Sequence, residues 1–156
     1  MDKLKIVPFN TDYKSAFEQL NREWIEEYFI MEEEDLKTLQ NPESYVLERG
    51  GEIFFAVLDG DVVGTAALIK KSKGVFELAK MAVVKNLRGL GIGKKLLERC
   101  IDYSKEREAT EIFLITNDSL KPALSLYLSC GFILNEHIDD NRYMRGHTKM
   151  NFILGE

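Results

Sequence analysis

Arg88-Gly89-Leu90-Gly91-Ile92-Gly93-Lys94 is the stretch on which the fold turns. An apolar run rich in strand formers, Phe76 to Val84, precedes it. Leu96, Leu97, Cys100, Ile101 and Ser104 follow it at helical spacing. Glycines at alternate positions build neither a regular strand nor a stable helix interior, because each adds backbone freedom and no side chain to pack. The segment therefore reads as strand, bare loop and helix. A helix N-terminus carries unpaired N–H donors and roughly half a unit of positive charge. A glycine loop at that end lets a ligand approach the donors closely, which suits an anion such as phosphate. Lys94 and Lys95 in the first turn oppose the helix dipole, a local cost that a bound polyanion offsets.

Outward from this loop, Leu4 to Pro8 reads as a short first strand. Between Tyr13 and Phe29, the residues Phe17, Leu20, Trp24, Ile25, Tyr28 and Phe29 share one helical stripe. The acidic run Glu32, Glu33, Glu34, Asp35, followed by Leu36 and Leu39, predicts a second helix stopped at Asn41-Pro42. Ile53 to Leu58 and Val62 to Ile69 flank Asp59-Gly60-Asp61, a hairpin signal. Lys71-Ser72-Lys73-Gly74 then turns into Val75 to Val84, which completes a three-strand meander. Glu111 to Thr116 predicts a strand, Lys121 to Ser129 a helix with Pro122 in its first turn, and Gly131 a left-handed cap. Phe132 to His137 and Tyr143 to Leu154 are the last two strands, joined by Asp139-Asp140-Asn141. The order is βαα–βββ–α–β–α–ββ, an α/β (α+β) class. No linker or repeat interrupts it, so one domain is expected over residues 1–156.

Composition narrows the classes. The 156 residues, 45% hydrophobic and 30% charged, match a soluble globular chain. No apolar run approaches the roughly 20 residues needed to span a bilayer. Met1-Asp2-Lys3-Leu4 lacks a signal-peptide plan, so the expected compartment is the cytoplasm. A net charge of −5 speaks against a nucleic-acid-binding surface. Cys100 and Cys130 are not at metal spacing and read as buried, reduced small hydrophobes. His137 and His147 have no ligand-spaced partners, so no metal site is expected.

Three phosphate loops compete for the glycine segment. A Rossmann fingerprint needs G-x-G-x-x-G after the first strand of a parallel sheet, whereas this spacing is G-x-G-x-G and follows an antiparallel meander. A P-loop needs G-x-x-x-x-G-K-[ST], and Lys95 stands where its hydroxyl belongs. Arg88-x-x-Gly91-x-Gly93 resembles a third, the R/Q-x-x-G-x-G/A pyrophosphate loop of the GNAT superfamily of acyl-CoA-dependent N-acetyltransferases. Glu77-Leu78-Ala79-Lys80-Met81-Ala82-Val83 is similar to that family's fourth strand, and Gly60-Asp61-Val62-Val63-Gly64 to its second hairpin. Ala123-Leu124-Ser125-Leu126-Tyr127-Leu128-Ser129-Cys130-Gly131-Phe132 is similar to its A-x-x-L-Y-x-x-x-G-F segment. The resemblance runs from about Ile53 to Phe132.

The resemblance implies a mixed, mostly antiparallel sheet of about seven strands with four helices, splayed between the fourth and fifth strands. Acetyl-CoA would be the co-substrate, its pantetheine arm paired with the backbone of Met81 and Val83 in the splay. A backbone N–H within Met81, Ala82 and Val83 would stabilise the oxyanion. Gly89, Gly91 and Gly93, with Arg88 and Lys94, would hold the pyrophosphate. Tyr127 resembles the general acid that protonates the departing thiolate, or else is a core aromatic. Glu77 stands where several members place the base that deprotonates the amine; ordered water serves in others, and a solvent-facing strand carboxylate is the plain alternative. On a regular strand Lys80, three residues on, would face away from Glu77. Relatives often carry an Asn seven residues before the tyrosine, where this chain has Leu120. Asn117 is a substitute amide for the pantetheine, or a turn former in Asn117-Asp118-Ser119.

The first two helices wall the acceptor side in this family, and here they carry Trp24, Tyr28 and Phe29 beside several acids. That is either an acidic lip for a cationic amine or a core stripe followed by a solvated acidic helix start. The expected function is acetyl transfer from acetyl-CoA to a primary amine, small or peptidic, by direct attack in a ternary complex. The sequence leaves the oligomeric state open, although members of the family are often homodimers. The rivals are a non-catalytic CoA-binding sensor of the same fold and an unrelated phosphate-binding protein.

Overall fold

Turn chemistry sets the first strand connections. Asp59 and Gly60 both adopt positive φ, 51° and 88°, the signature of a tight hairpin whose twist matches its flanking strands. The computed structural model describes residues 3–117, 119–137 and 148–155. Its elements are β1 (Leu4–Pro8), α1 (Lys14–Tyr28), α2 (Glu33–Gln40), β2 (Glu52–Leu58), β3 (Asp61–Ser72) and β4 (Val75–Val83). There follow α3 (Ile92–Glu106), β5 (Glu111–Thr116), α4 (Lys121–Ser129), β6 (Ile133–His137) and β7 (Thr148–Ile153). The element order and type are those the sequence predicts. A short π-helical turn, Glu43–Leu47, lies outside that expectation. The expected turn Asp139-Asp140-Asn141, the start of the last strand at Tyr143, and His147 lie outside the described residues.

The seven strands form one sheet in the order β1-β2-β3-β4-β5-β7-β6. Every pairing is antiparallel except β4 with β5. That parallel ladder has three rungs, Val75↔Glu111, Phe76↔Ile112 and Glu77↔Phe113, and then stops. Both strands continue past it, β4 to Val83 and β5 to Thr116, so the sheet opens into a V with Glu77 at its apex.

Side-chain alternation loads both faces of the sheet. Phe54 and Ala56 pack with Leu68, Phe76, Ile92, Leu96, Leu97 and Cys100 against α3. Ile53, Phe55 and Ala67 pack the other way, with Phe17, Ile25, Leu39 and Val46 beneath α1 and α2. Each such large side chain contributes about 1.5–3 kcal/mol on burial. The stripe on α1 is buried at Phe17, Leu20, Asn21 and Ile25, whereas Tyr28 is 47% exposed. Cys100 is buried as expected, but Cys130 is only half-buried, because it ends α4 just before Gly131 (φ 103°) turns the chain away. No described helix is long and apolar enough to cross a membrane.

Candidate active site

Where β4 and β5 part, the V becomes a cavity of about 450 Å³. Glu77 to Met81 of β4 and Leu114 to Thr116 of β5, with Asn117 just after it, form its sides. Leu120, Ala123 and Tyr127 line it from α4 and its approach, and Asn21, Trp24 and Ile25 of α1, with Phe29 just after it, from the helical side. The structure thus brings Glu77 and Met81 of β4 to one space with Asn117 and Tyr127, which lie far along the sequence.

Glu77 is only 4% exposed, and its carboxylate lies 3.7 Å from Lys71 Nζ. It is buried at the V's apex rather than set on a solvent-facing strand. Beyond it β4 is irregular. Ala79 pairs with Ala67 but Ala82 pairs with Thr65, so β4 carries one residue more than β3 across this span. Lys80 absorbs the bulge at φ 51°. The bulge resets the alternation and brings Lys80 to the wall of the same cavity as Glu77, which corrects the expectation from a regular strand. There Lys80 Nζ lies 2.7 Å from Oδ1 of Asp35, and both side chains are buried. Asp35 Oδ2 also accepts the Glu32 N–H at 2.9 Å, closing a capping box at the start of α2. The acidic helix start is therefore not wholly solvated.

Past the bulge, Ala82 is buried, and the Val84 N–H donates to Val63 O across β3 at 2.9 Å. Strand alternation then turns the Val83 N–H toward the open edge facing β5. The Val83 carbonyl already accepts Arg88 Nε at 3.1 Å.

The glycine loop begins there. Gly89 and Gly91 adopt φ 82° and 91°, a region costly for other residues, and Gly91 N-caps α3 without any side-chain bond. A Cβ at either would meet no atom of the described residues within 4 Å, so no neighbouring group crowds these two positions. A Cβ on Gly93 would come to 3.4 Å from Leu126, where α3 meets α4. Lys94 and Lys95 stand exposed beside the loop. Arg88 instead turns to α1. Its Nη1 reaches both oxygens of Glu27, at 3.1 and 3.2 Å, and Tyr28 Oη at 3.4 Å. Desolvation pushes the Glu27 carboxyl up, but hydrogen bonds from Arg88 and Tyr28 and the charges of Arg88 and Lys85 outweigh it and hold the group below its usual range.

Tyr127 projects from α4, its ring 6.1 Å from that of Phe132. Desolvation pushes its phenol up to about 12, so the hydroxyl keeps its proton at neutral pH. Asn117 Oδ1 accepts the Ser119 N–H at 2.9 Å, the turn-forming arrangement, while the residue also lines the cavity.

Sequence reasoning missed Asn21, Tyr45 and Arg49, all of which line the cavity. Asn21 had a signal: it sits four residues after Phe17 and four before Ile25, a polar side chain on an apolar stripe. Tyr45 and Arg49 lie in and just after the π-helical turn, which no local pattern announces.

The Acetyltransferase (GNAT) family model matches residues 14–132. A protein of Bacillus subtilis (strain 168), named uncharacterized N-acetyltransferase YvbK, is 32% identical over 125 residues, covering 78% of this chain and 79% of its own. The crystal structure of a GNAT-family acetyltransferase from Staphylococcus aureus Mu50 aligns over 97% of this chain and 99% of its own, with TM-score 0.87 and 27% identity. The structure of yncA from Salmonella typhimurium with its cofactor acetyl-CoA shares the fold, with TM-score 0.81 over 98% of this chain and 95% of its own, at 18% identity.

Proposed function

The chain belongs to the GNAT family of acetyltransferases, and on that premise we propose that the V between β4 and β5 receives acetyl-CoA and that Glu77 and Tyr127 serve the transfer of its acetyl group to an amine. The observation that carries this reading is the convergence of Glu77, Met81, Asn117 and Tyr127 on one cavity that opens where the β4–β5 ladder stops. The residues present fit the co-substrate. Gly89 and Gly91 leave open space beside the α3 N-terminus, and Lys94 stands exposed there to meet a pyrophosphate. The unpaired edge of β4 from Met81 to Val83 offers backbone groups to an extended arm and an N–H to a developing oxyanion.

Acetyl-CoA supplies, when bound, an acetyl group activated as a thioester. Glu77 accepts a proton from the incoming ammonium, directly or through water, so that the amine nitrogen can attack. The β4 edge N–H stabilises the negative charge that builds on the carbonyl oxygen. Tyr127 gives its proton to the sulfur as the carbon–sulfur bond breaks, and regains one from the second proton that the nitrogen sheds in becoming the amide. Its high pKa costs driving force, but the same desolvation raises the basicity of a nascent thiolate in that site. Asn117 steadies the arm from the β5 side. Direct attack within a ternary complex needs no covalent enzyme intermediate.

Calorimetry with acetyl-CoA, paired with a thiol-release assay against a panel of amines, tests the reading. Wild type should bind and turn over, and Arg88→Glu with Gly91→Asp should abolish binding. Unchanged binding in that double variant removes the loop assignment. Binding without turnover on any amine favours the sensor reading.

A further inference from the structure

We propose that the amine acceptor carries a carboxylate, and that Arg49 selects it from the cavity mouth. This inference rests on the acetyl-transfer reading above and names the substrate class of the same site.

The charges in the cavity wall carry it. Glu34, Arg49, Lys71, Glu77 and Lys80 line the space. Four of them face an opposite charge within the protein: Glu34 faces Lys37 at 3.3 Å, Lys71 faces Glu77 at 3.7 Å, and Lys80 faces Asp35 at 2.7 Å. Arg49 has no carboxylate within 4.0 Å among the described residues. Its guanidinium lies over the Tyr45 ring instead, 4.7 Å from the centroid. Among the described residues, Arg49 is thus a positive charge of the wall that no carboxylate answers.

The form of that charge matters as much as its sign. A ring beneath a guanidinium braces it through cation–π contact and leaves its in-plane N–H fork free. That fork matches a carboxylate in two parallel hydrogen bonds, the strongest neutral-pH pairing a side chain of this kind makes. The π-helical turn Glu43–Leu47 supplies Tyr45, and the bend after it supplies Arg49. The pair stands on the connection between α2 and β2, on the side of α1 and α2 rather than of the glycine loop.

The amine end is equipped separately. Asn21 is 1% exposed and donates Nδ2 to Phe17 O at 2.9 Å. Asn21 also lines the cavity, where its amide presents a polar group to an acceptor. Glu77 lies in the same wall. An acceptor with an amine at one end and a carboxylate at the other meets both sets. A polycation does not: Glu27, Glu34 and Asp35, acids of α1 and α2, are already tied to Arg88, Lys37 and Lys80. A volume of about 450 Å³, shared with the donor's acyl end, admits a small molecule.

The test compares amino acids with their own amides, which keep the amine and lose the negative charge. In the thiol-release assay with acetyl-CoA, kcat/KM should favour the acids by roughly ten- to a hundredfold. Arg49→Met keeps an apolar stem over Tyr45 and should bring that ratio near one; Arg49→Lys should restore part of it. Equal rates for acid and amide, or a preference for polyamines, overturn the proposal while leaving acetyl transfer intact. Calorimetry of the protein with the same acids and amides needs no turnover. Binding that depends on the carboxylate and is lost in Arg49→Met supports the assignment even if no acetyl transfer occurs, an outcome that sinks only the reading it rests on. No difference in binding, together with no difference in rate, overturns it.

Discussion

Lys80 Nζ lies 2.7 Å from Asp35 Oδ1 across 45 residues of sequence, both side chains buried. The pair joins the first turn of α2 to the bulge of β4, and so fixes the helical wall of the cavity to the strand that bears Glu77. Taking both charges from water is costly, and their attraction offsets the cost only while both are present. Asp35→Leu alone is therefore expected to destabilise the fold by about 3–5 kcal/mol. Asp35→Leu with Lys80→Met should cost much less than the two single changes added together. Chemical denaturation of the four proteins measures the coupling, and additive effects would show that the pair contributes nothing.

Arg88 is held by Glu27, which bears on donor binding. If the guanidinium must leave that carboxylate to meet a pyrophosphate, Glu27→Gln should tighten acetyl-CoA binding severalfold, roughly the value of a partly exposed ion pair. Arg88→Gln should weaken it. The Glu27 carboxyl is held low, so its contribution to the pairing is present above the ordinary carboxylate pKa and fades as pH falls through the lowered value. Calorimetry across mildly acidic pH checks both points. An unchanged Kd in Glu27→Gln means that Arg88 braces α1 and takes no part in donor binding.

Tyr127→Phe removes one oxygen from a packed ring. On the proposed mechanism kcat should fall about a hundredfold or more with little change in acetyl-CoA affinity. Because burial pushes the phenol up to about 12, wild type should show no alkaline loss of activity traceable to this group below pH 10. A kcat within twofold of wild type would sink its role as acid.

Alkaline stability reports buried acids, among them Cys100, Tyr127 and Tyr103, whose phenol burial also pushes up from 10.0. Desolvation raises the Cys100 thiol from 9.0 to about 12, and the Tyr127 phenol from 10.0 to about 12. A raised folded value means that the unfolded chain loses its proton first. The stabilisation is complete below pH 9 and is lost as pH climbs toward about 12. Cys100→Val should therefore flatten the stability profile between pH 9 and 10, where only the thiol differs. Denaturation midpoints against pH measure it, and parallel profiles for the two proteins would contradict it.

What the sequence made legible was local. Asp59-Gly60 announced its hairpin, the glycines before Leu96 and Leu97 announced a loop and a helix, and Gly131 announced an ending, because each signal lies within a few residues of its effect. The splay needed the family resemblance, since nothing in Glu111 to Thr116 tells how many rungs it shares with β4. The bulge was invisible: Ala79-Lys80-Met81 contains no glycine, yet Lys80 adopts φ 51°. The partners of Arg88 and Lys80 lie 61 and 45 residues away, beyond any periodicity. So the motif found Arg88 but not Glu27, and the acidic run was read as surface although Asp35 is inside. Arg49 and Tyr45 escaped for the same reason, on a turn that tertiary packing alone defines.

The three-rung ladder between β4 and β5 has a consequence for descent. Hydrogen-bonding capacity along an unpaired strand belongs to the main chain, which every substitution except proline preserves. The wall opposite is built of side chains (Asn21, Trp24, Tyr45, Arg49), each replaceable by a single codon. Under the proposed reading, a lineage carrying this sheet inherits its donor grip almost free of mutational drift. Its choice of acceptor stays open to rapid revision.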